Sequence, residues 1–284
     1  MPHQRPVLTL ILFYLLALAI SWVFWAPLAL AKLGYLPEAP SFLHLLGSLG
    51  PALAALMVSR LPFSPVTTRM LAARLSIGSV LMTALMAAIL LPLAIGVVGL
   101  LGQWLAMGTR PPLEQALQSH EYPYLSPAAW VAASVVFYGF GEEIGWRGLA
   151  IPILNRRFNA LACSLLMTLP WAVWHLPLLV STPTYTALGL SGLAGWVVSL
   201  ATGSVLLTLF LVLSRGSLIP VAIFHAAIDL AMVNPAVTPL GINIMGGIIT
   251  IAGLAAAYRC YRIGPNAPDI ATPPSPLFRP SSLE

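Results

Sequence analysis

Eight stretches of nearly unbroken apolar residues run along the chain, at approximately 7–30, 42–60, 76–101, 127–154, 160–180, 188–213, 217–233 and 240–258. A spanning helix needs about 20 apolar residues at about 1.5 Å each, so each run is long enough, or nearly so, to cross a bilayer. No run alternates apolar and polar residues with the period of a barrel strand. Backbone groups left unpaired in hydrocarbon are costly, which leaves helices as the expected spanning form. The pattern predicts an all-α integral membrane protein, a polytopic bundle of about eight transmembrane helices.

Two ends of the chain need separate treatment. The first run follows Arg5 and resembles a secretory signal, with Ala29-Leu30-Ala31 in the place of a cleavage site. Its length exceeds the roughly 7 to 15 residues of a signal core, and a retained first helix is expected. At the other end, residues 264–284 hold six prolines and few apolar residues, which predicts a disordered cytoplasmic tail after a transmembrane domain spanning 1–263.

Composition agrees with the pattern. Of the 284 residues 59% are apolar and only 7% charged, with a mean hydropathy of +0.91, far from the roughly 25% charged residues of soluble domains. The 13 basic residues outnumber the 8 acidic ones but are scattered at run ends, which argues against a nucleic-acid partner and for topology signals. With the N-terminus in the cytoplasm, Arg5, Arg60, Arg69, Arg74, Arg156, Arg157, Arg215, Arg259, Arg262 and Arg279 fall on the cytoplasmic side and Lys32 and Arg110 on the other. This sorting supports both termini in the cytoplasm, and a bacterial cytoplasmic membrane is the expected location. Cys163 and Cys260 are far apart and form no C-x-x-C pair, so neither a disulfide scaffold nor a thiolate zinc site is supported.

The charges left inside the runs carry the chemistry, because ionisable side chains within spans face a bundle interior and pair there or line a functional path. They are Glu142, Glu143 and Arg147 in the fourth run, His175 in the fifth, and His225 and Asp229 in the seventh. Glu143 and Arg147 are four apart, the spacing of a same-face ion pair, and they read as structural support. Glu142 projects about 100° away from Glu143 and needs a partner on another helix. Each remaining group has a plain alternative: a packed histidine for His175, and a helix–helix hydrogen bond for His225 and Asp229. At about 1.5 Å per residue from the cytoplasmic ends, Glu142 and His175 lie at similar depth, and His225 about 6 Å shallower.

These motifs resemble the CAAX-protease and bacteriocin-processing family of membrane proteins, which includes Rce1-type prenyl-protein endopeptidases and bacterial Abi proteins. The resemblance covers about residues 127–234: E-E-x-x-x-R at Glu142, Glu143 and Arg147; an aromatic residue four before a histidine at Trp171 and His175; and a variant of H-x-x-x-N at His225 and Asp229. It implies an intramembrane endopeptidase, a CPBP-type hydrolase in which Glu142, assisted by His175, activates water while His225 and residue 229 stabilise the oxyanion. Asp229 departs from the pattern, since an ionised carboxylate accepts hydrogen bonds where an asparagine amide would donate. The substrate implied is a peptide or membrane protein reached through the bilayer.

Other readings stay open on the residues alone. Glu142, His175 and His225 could hold Zn²⁺ with water in the open position, as in a metalloprotease, although no H-E-x-x-H pattern is present. Gly189-Leu190-Ser191-Gly192 matches the G-x-S-G of rhomboid-like serine proteases, but Ser191 falls near the opposite end of its run from His225. The same polar cluster would also suit a non-catalytic scaffold or an immunity or regulatory protein.

Overall fold

The computed structural model of the protein describes residues 4–76, 82–186 and 189–274. Every regular element among them is helical. Four helices are long and apolar enough to span a membrane: α1 (Pro6–Lys32), α5 (Met82–Met107), α10 (Gly189–Leu213, apolar over Gly192–Leu213) and α12 (Pro239–Arg262). Between them lie α2 (Phe42–Ser48), α3 (Gly50–Val58), α4 (Thr68–Ala73), a continuous helical run α6 over residues 127–155, α7 (Ala160–Trp174), α8 (Leu176–Ser181), the short α9 (Pro183–Thr186) and α11 (Ile219–Met232). A final turn, α13, covers Pro268–Ala271. The predicted membrane bundle is thus observed, with three of its expected helices shorter than a full span and one of them broken beside His175.

Many apolar side chains of the long helices, such as Val23, Leu93 and Ile251, face outward, as expected where lipid is the solvent. Inward positions recur every four residues: α1 buries Thr9, Phe13, Ala17, Ser21, Trp25 and Ala29. This stripe anchors the site from behind. Ser21 Oγ donates to Gly47 O at 2.7 Å and accepts from Trp174 Nε1 at 2.6 Å, while Trp22 Nε1 donates to Trp174 O at 3.1 Å. The end of α7, one residue before His175, is therefore fixed by two bonds to α1.

The run α6 carries two π-helical stretches, Ser134–Phe140 and Trp146–Ala150, on either side of the regular turn Gly141–Gly145. A π turn widens the helix and re-aims the side chains around it, and such turns concentrate at functional sites. Close neighbours accompany the widening. A Cβ on Gly139 would meet Ala222 O at 2.6 Å and one on Gly145 would meet Pro51 O at 2.6 Å, so only glycine lets α6 lie against both α11 and α3.

One end of the bundle is closed by the segment expected to be a disordered tail. Asn155 is fully buried; its Nδ2 donates to Phe158 O and Gly264 O, its Oδ1 accepts from Ala267 N, and its carbonyl accepts from Asn266 N. Arg74, also fully buried, donates to Gly216 O at 3.0 Å and Ile270 O at 2.6 Å, and its carbonyl accepts from Leu218 N at the start of α11. Desolvation by burial pulls the pKa of its guanidinium down to about 10. Residues 264–274 are ordered because Ile270 is wholly buried and the backbone amides there have partners, features that a count of prolines does not register. Residues 275–284 lie outside the described residues.

Candidate active site

The site is assembled from four helical segments, α6, α7 with its break, α9 and α11, around a cavity of about 880 Å³. Glu142, His175, His225 and Asp229 all line it. Glu143 and Arg147 lie behind the wall, each with a fully buried side chain.

Glu143 is the joint between helices. Its Oε1 accepts from Arg147 Nη1 at 2.8 Å within α6 and from His225 Nδ1 at 2.7 Å across to α11. The i, i+4 pair expected from sequence is present, and the contact to His225 is an addition that spacing could not reveal. Arg147 also places its guanidinium carbon 4.7 Å from the centre of the Trp171 ring, bringing α7 into the same cluster. Glu143 Oε2 and Arg147 Nε and Nη2 lack hydrogen-bond partners among the described residues, so the buried pair gains further from ring contact and mutual attraction than from hydrogen bonds alone.

Glu142 points the other way, and its partner from another helix is Trp171, whose Nε1 donates to Glu142 Oε2 at 3.0 Å. The second carboxylate oxygen has no hydrogen-bond partner among the described residues and faces the cavity. Trp171 therefore touches the carboxylate with its N–H, the guanidinium with its face and His225 with its edge, the last at 5.7 Å between ring centres. The sequence motif marked Trp171 as an aromatic; the hydrogen bond it makes is specific to tryptophan, since phenylalanine has no donor.

His175 sits where α7 ends and α8 begins. Its Nδ1 donates to Trp171 O at 2.8 Å, which fixes the proton on that nitrogen and leaves Nε2 free toward the cavity. Four aromatic rings surround it: Trp171, Trp174, Tyr185 and Trp196, at 4.8 to 6.1 Å between centres. No hydrogen bond joins His175 to Glu142 among the described residues; the two share the cavity through Trp171.

His225 is held from both sides. Nδ1 is bonded to Glu143, and Nε2 faces Asp229 Oδ2 at 3.5 Å. Both ring nitrogens are turned to carboxylates, but only the Nδ1 contact is a hydrogen bond. Asp229 keeps 37% of its side chain accessible, so it borders the open space as well as the ring.

The zinc reading fits this arrangement poorly. No group of three or more His, Cys, Asp or Glu side chains among the described residues has metal-holding geometry. The side chain of Ser191, the nucleophile of the rhomboid-like reading, lies outside the described residues.

Several cavity residues went unmarked in the sequence. His44 from α2 contacts Glu121 at 2.8 Å and packs on Tyr138, and all three line the cavity at its rim. A polar residue inside the apolar run 42–60 was the available signal for His44. Tyr185 and Trp196 gave none, because aromatic residues are ordinary in membrane helices.

Comparison with known proteins bears out the resemblance read from the motifs. The family model described as Type II CAAX prenyl endopeptidase Rce1-like matches residues 124–231, which contain Glu142, Glu143, Arg147, Trp171, His175, His225 and Asp229. A "CAAX prenyl protease 2" of Methanococcus maripaludis is 30% identical over 97 residues, covering 31% of this chain and 34% of the relative. The chain thus spans about a third of the length of that curated relative.

Proposed function

We propose, from a chain whose residues 124–231 fall in the Rce1-like family, that this integral membrane protein is an intramembrane endopeptidase in which Glu142 activates the attacking water. The observation that carries the reading is that Glu142 and His175 each leave one acceptor atom open to the same 880 Å³ cavity while their other atoms are tied down. A base must stand within hydrogen-bond reach of the water it deprotonates, and it must be held so that its free lone pair is aimed.

In this reaction a water oxygen forms a bond to the scissile carbonyl carbon, its proton passes to Glu142, and the carbonyl π pair moves onto oxygen. Collapse reforms the carbonyl, breaks the C–N bond and returns the proton to the departing nitrogen. His175 Nε2 accepts a hydrogen bond from the same water and orients it. Glu143 and Arg147 hold His225 and Trp171 in place, and through Trp171 the carboxylate of Glu142.

The relative's name makes a prenylated CAAX-type peptide the first substrate to try, and the distribution of arginines favours both termini in the cytoplasm. The test is cleavage of a farnesylated CAAX-type peptide in proteoliposomes made in ¹⁸O-labelled water. The reading expects one labelled oxygen in the new C-terminal carboxylate with the parent protein and no product with Glu142→Gln. Product from Glu142→Gln at the parental rate, or none from the parent, defeats it.

A further inference from the structure

The connections between helices fall into two sets, one at each end of the bundle. At the end closed by Asn155 and Arg74, Arg5 N donates to Phe63 O at 3.0 Å, Asn155 reaches Gly264 and Ala267 just beyond α12, and Arg74 reaches Gly216 and Ile270. The start of α1, the connection through α4, the turn after α6, the turn before α11 and the end of α12 therefore meet there. At the other end, Trp25 near the end of α1 donates to His44 O at 2.9 Å, and His44 contacts Glu121 in the connection between α5 and α6. Thr238, which caps α12, donates through its N–H to Gln103 near the end of α5 at 2.8 Å.

The cavity belongs to this second end. Ser119, His120 and Glu121 line it from the α5–α6 connection, Thr182 from the segment after His175, and Val233 from the end of α11. His120 and Val233 are exposed there. No described residue of the connections at the closed end, 59–67, 74–76, 156–159, 214–218 and 263–274, lines it. Glu142, only 4% exposed, borders this space with a carboxylate oxygen that has no hydrogen-bond partner among the described residues, and the space therefore suits a polar guest such as water or a peptide group.

Charge separates the same two ends. The arginines from 5 to 262 sorted to the cytoplasm by sequence all sit at the closed end, where Asp269 is the single acidic residue among the described connections. The cavity end holds Lys32 and Arg110 against Glu38, Glu114 and Glu121. Basic residues are retained on the cytoplasmic side of a membrane, which turns the closed end toward the cytoplasm. We propose that the cavity opens on the extracytoplasmic side and takes its substrate from there, as a peptide segment exposed at the outer face of the membrane. The inference rests on the endopeptidase reading for what enters, and on the placement of the connections for the side of entry. A farnesylated CAAX-type peptide is then a surrogate that reports the chemistry, and the rim formed by His44, Glu121 and His120 is the first part of the protein that the natural substrate meets.

The experiment places single cysteines in the full chain with Cys163 and Cys260 replaced by alanine: His120→Cys at the rim, Ser199→Cys inside the cavity and Arg156→Cys at the closed end. Intact cells are treated with the anionic, membrane-impermeant reagent sulfonatoethyl methanethiosulfonate. His120→Cys and Ser199→Cys are expected to react in intact cells, and Arg156→Cys only after the cells are opened. Reaction of Arg156→Cys in intact cells, or silence of His120→Cys or Ser199→Cys there, overturns the proposal. Cleavage gives a second readout with the unmodified protein, because a peptide with charged residues crosses hydrocarbon poorly: right-side-out membrane vesicles are expected to cleave such a farnesylated peptide at least about tenfold faster than inverted ones. Faster cleavage by inverted vesicles overturns the side of entry and leaves the endopeptidase standing. No cleavage by the parent even in detergent defeats the endopeptidase reading, while the thiol pattern still decides where the cavity opens.

Discussion

The closed end of the bundle around Asn155 and Arg74 and the cavity around Glu142 both bury polar groups in an apolar protein, yet they leave those groups with different work. At the closed end Asn155 uses both amide hydrogens, its side-chain oxygen and its carbonyl. Arg74 spends its two terminal nitrogens on main-chain carbonyls, and only its Nε is without a partner among the described residues. In the cavity, Glu142 and His175 each tie down one atom and leave another facing the cavity. Because an unsatisfied buried polar group costs about 1–3 kcal/mol, saturation marks architecture, and a group left open beside a cavity marks chemistry. Within one helical turn, Glu143 turns Oε1 to Arg147 and His225 inside the buried wall, while Glu142 borders the cavity.

This contrast can be broken by exchanging function for stability. Glu142→Gln is expected to have the largest effect on activity, a loss of at least about 1000-fold in peptide cleavage, because it removes the base. Its thermal midpoint should stay near the parent's, since the glutamine carbonyl can still accept from Trp171. Glu143→Ala is expected to do the reverse at the level of folding. It removes the acceptor shared by Arg147 and His225 and strands a buried guanidinium, at about 3–5 kcal/mol, read as a large drop in thermal midpoint in detergent.

Smaller effects sharpen the comparison at the two ends. Ile270→Ala should cost about 2–4 kcal/mol by emptying a fully buried position, with cleavage by the folded fraction retained. The pair His44–Glu121 is partly exposed at the rim, so Glu121→Gln should shift stability by less than about 1 kcal/mol, measured by the same thermal unfolding.

How much of this was legible before the structure depends on the kind of signal. The spans were readable because lipid forces whole helices to be apolar, and Glu142, Glu143, His175, His225 and Asp229 stood out because charge within a span is costly. What joins them was not readable. The bond from His225 to Glu143 depends on how α6 and α11 pack, and that packing depends on Gly139 and on two π-helical stretches without a hydropathy signature. The expected disorder does not hold over residues 264–274 for a local reason: a single buried isoleucine and a set of main-chain bonds outweigh a proline-rich composition.

The claim on which the rest depends is that positions 142 and 175, on different helices, open into one cavity. It is tested most directly by a Glu142→Cys, His175→Cys double variant, with Cys163 and Cys260 replaced by alanine, treated in native membranes with a graded series of short bis-methanethiosulfonates. The account predicts an intramolecular bridge between the two introduced thiols, detected by mass spectrometry of linked peptides. Separate labelling of each thiol with no bridge at any linker length would contradict it.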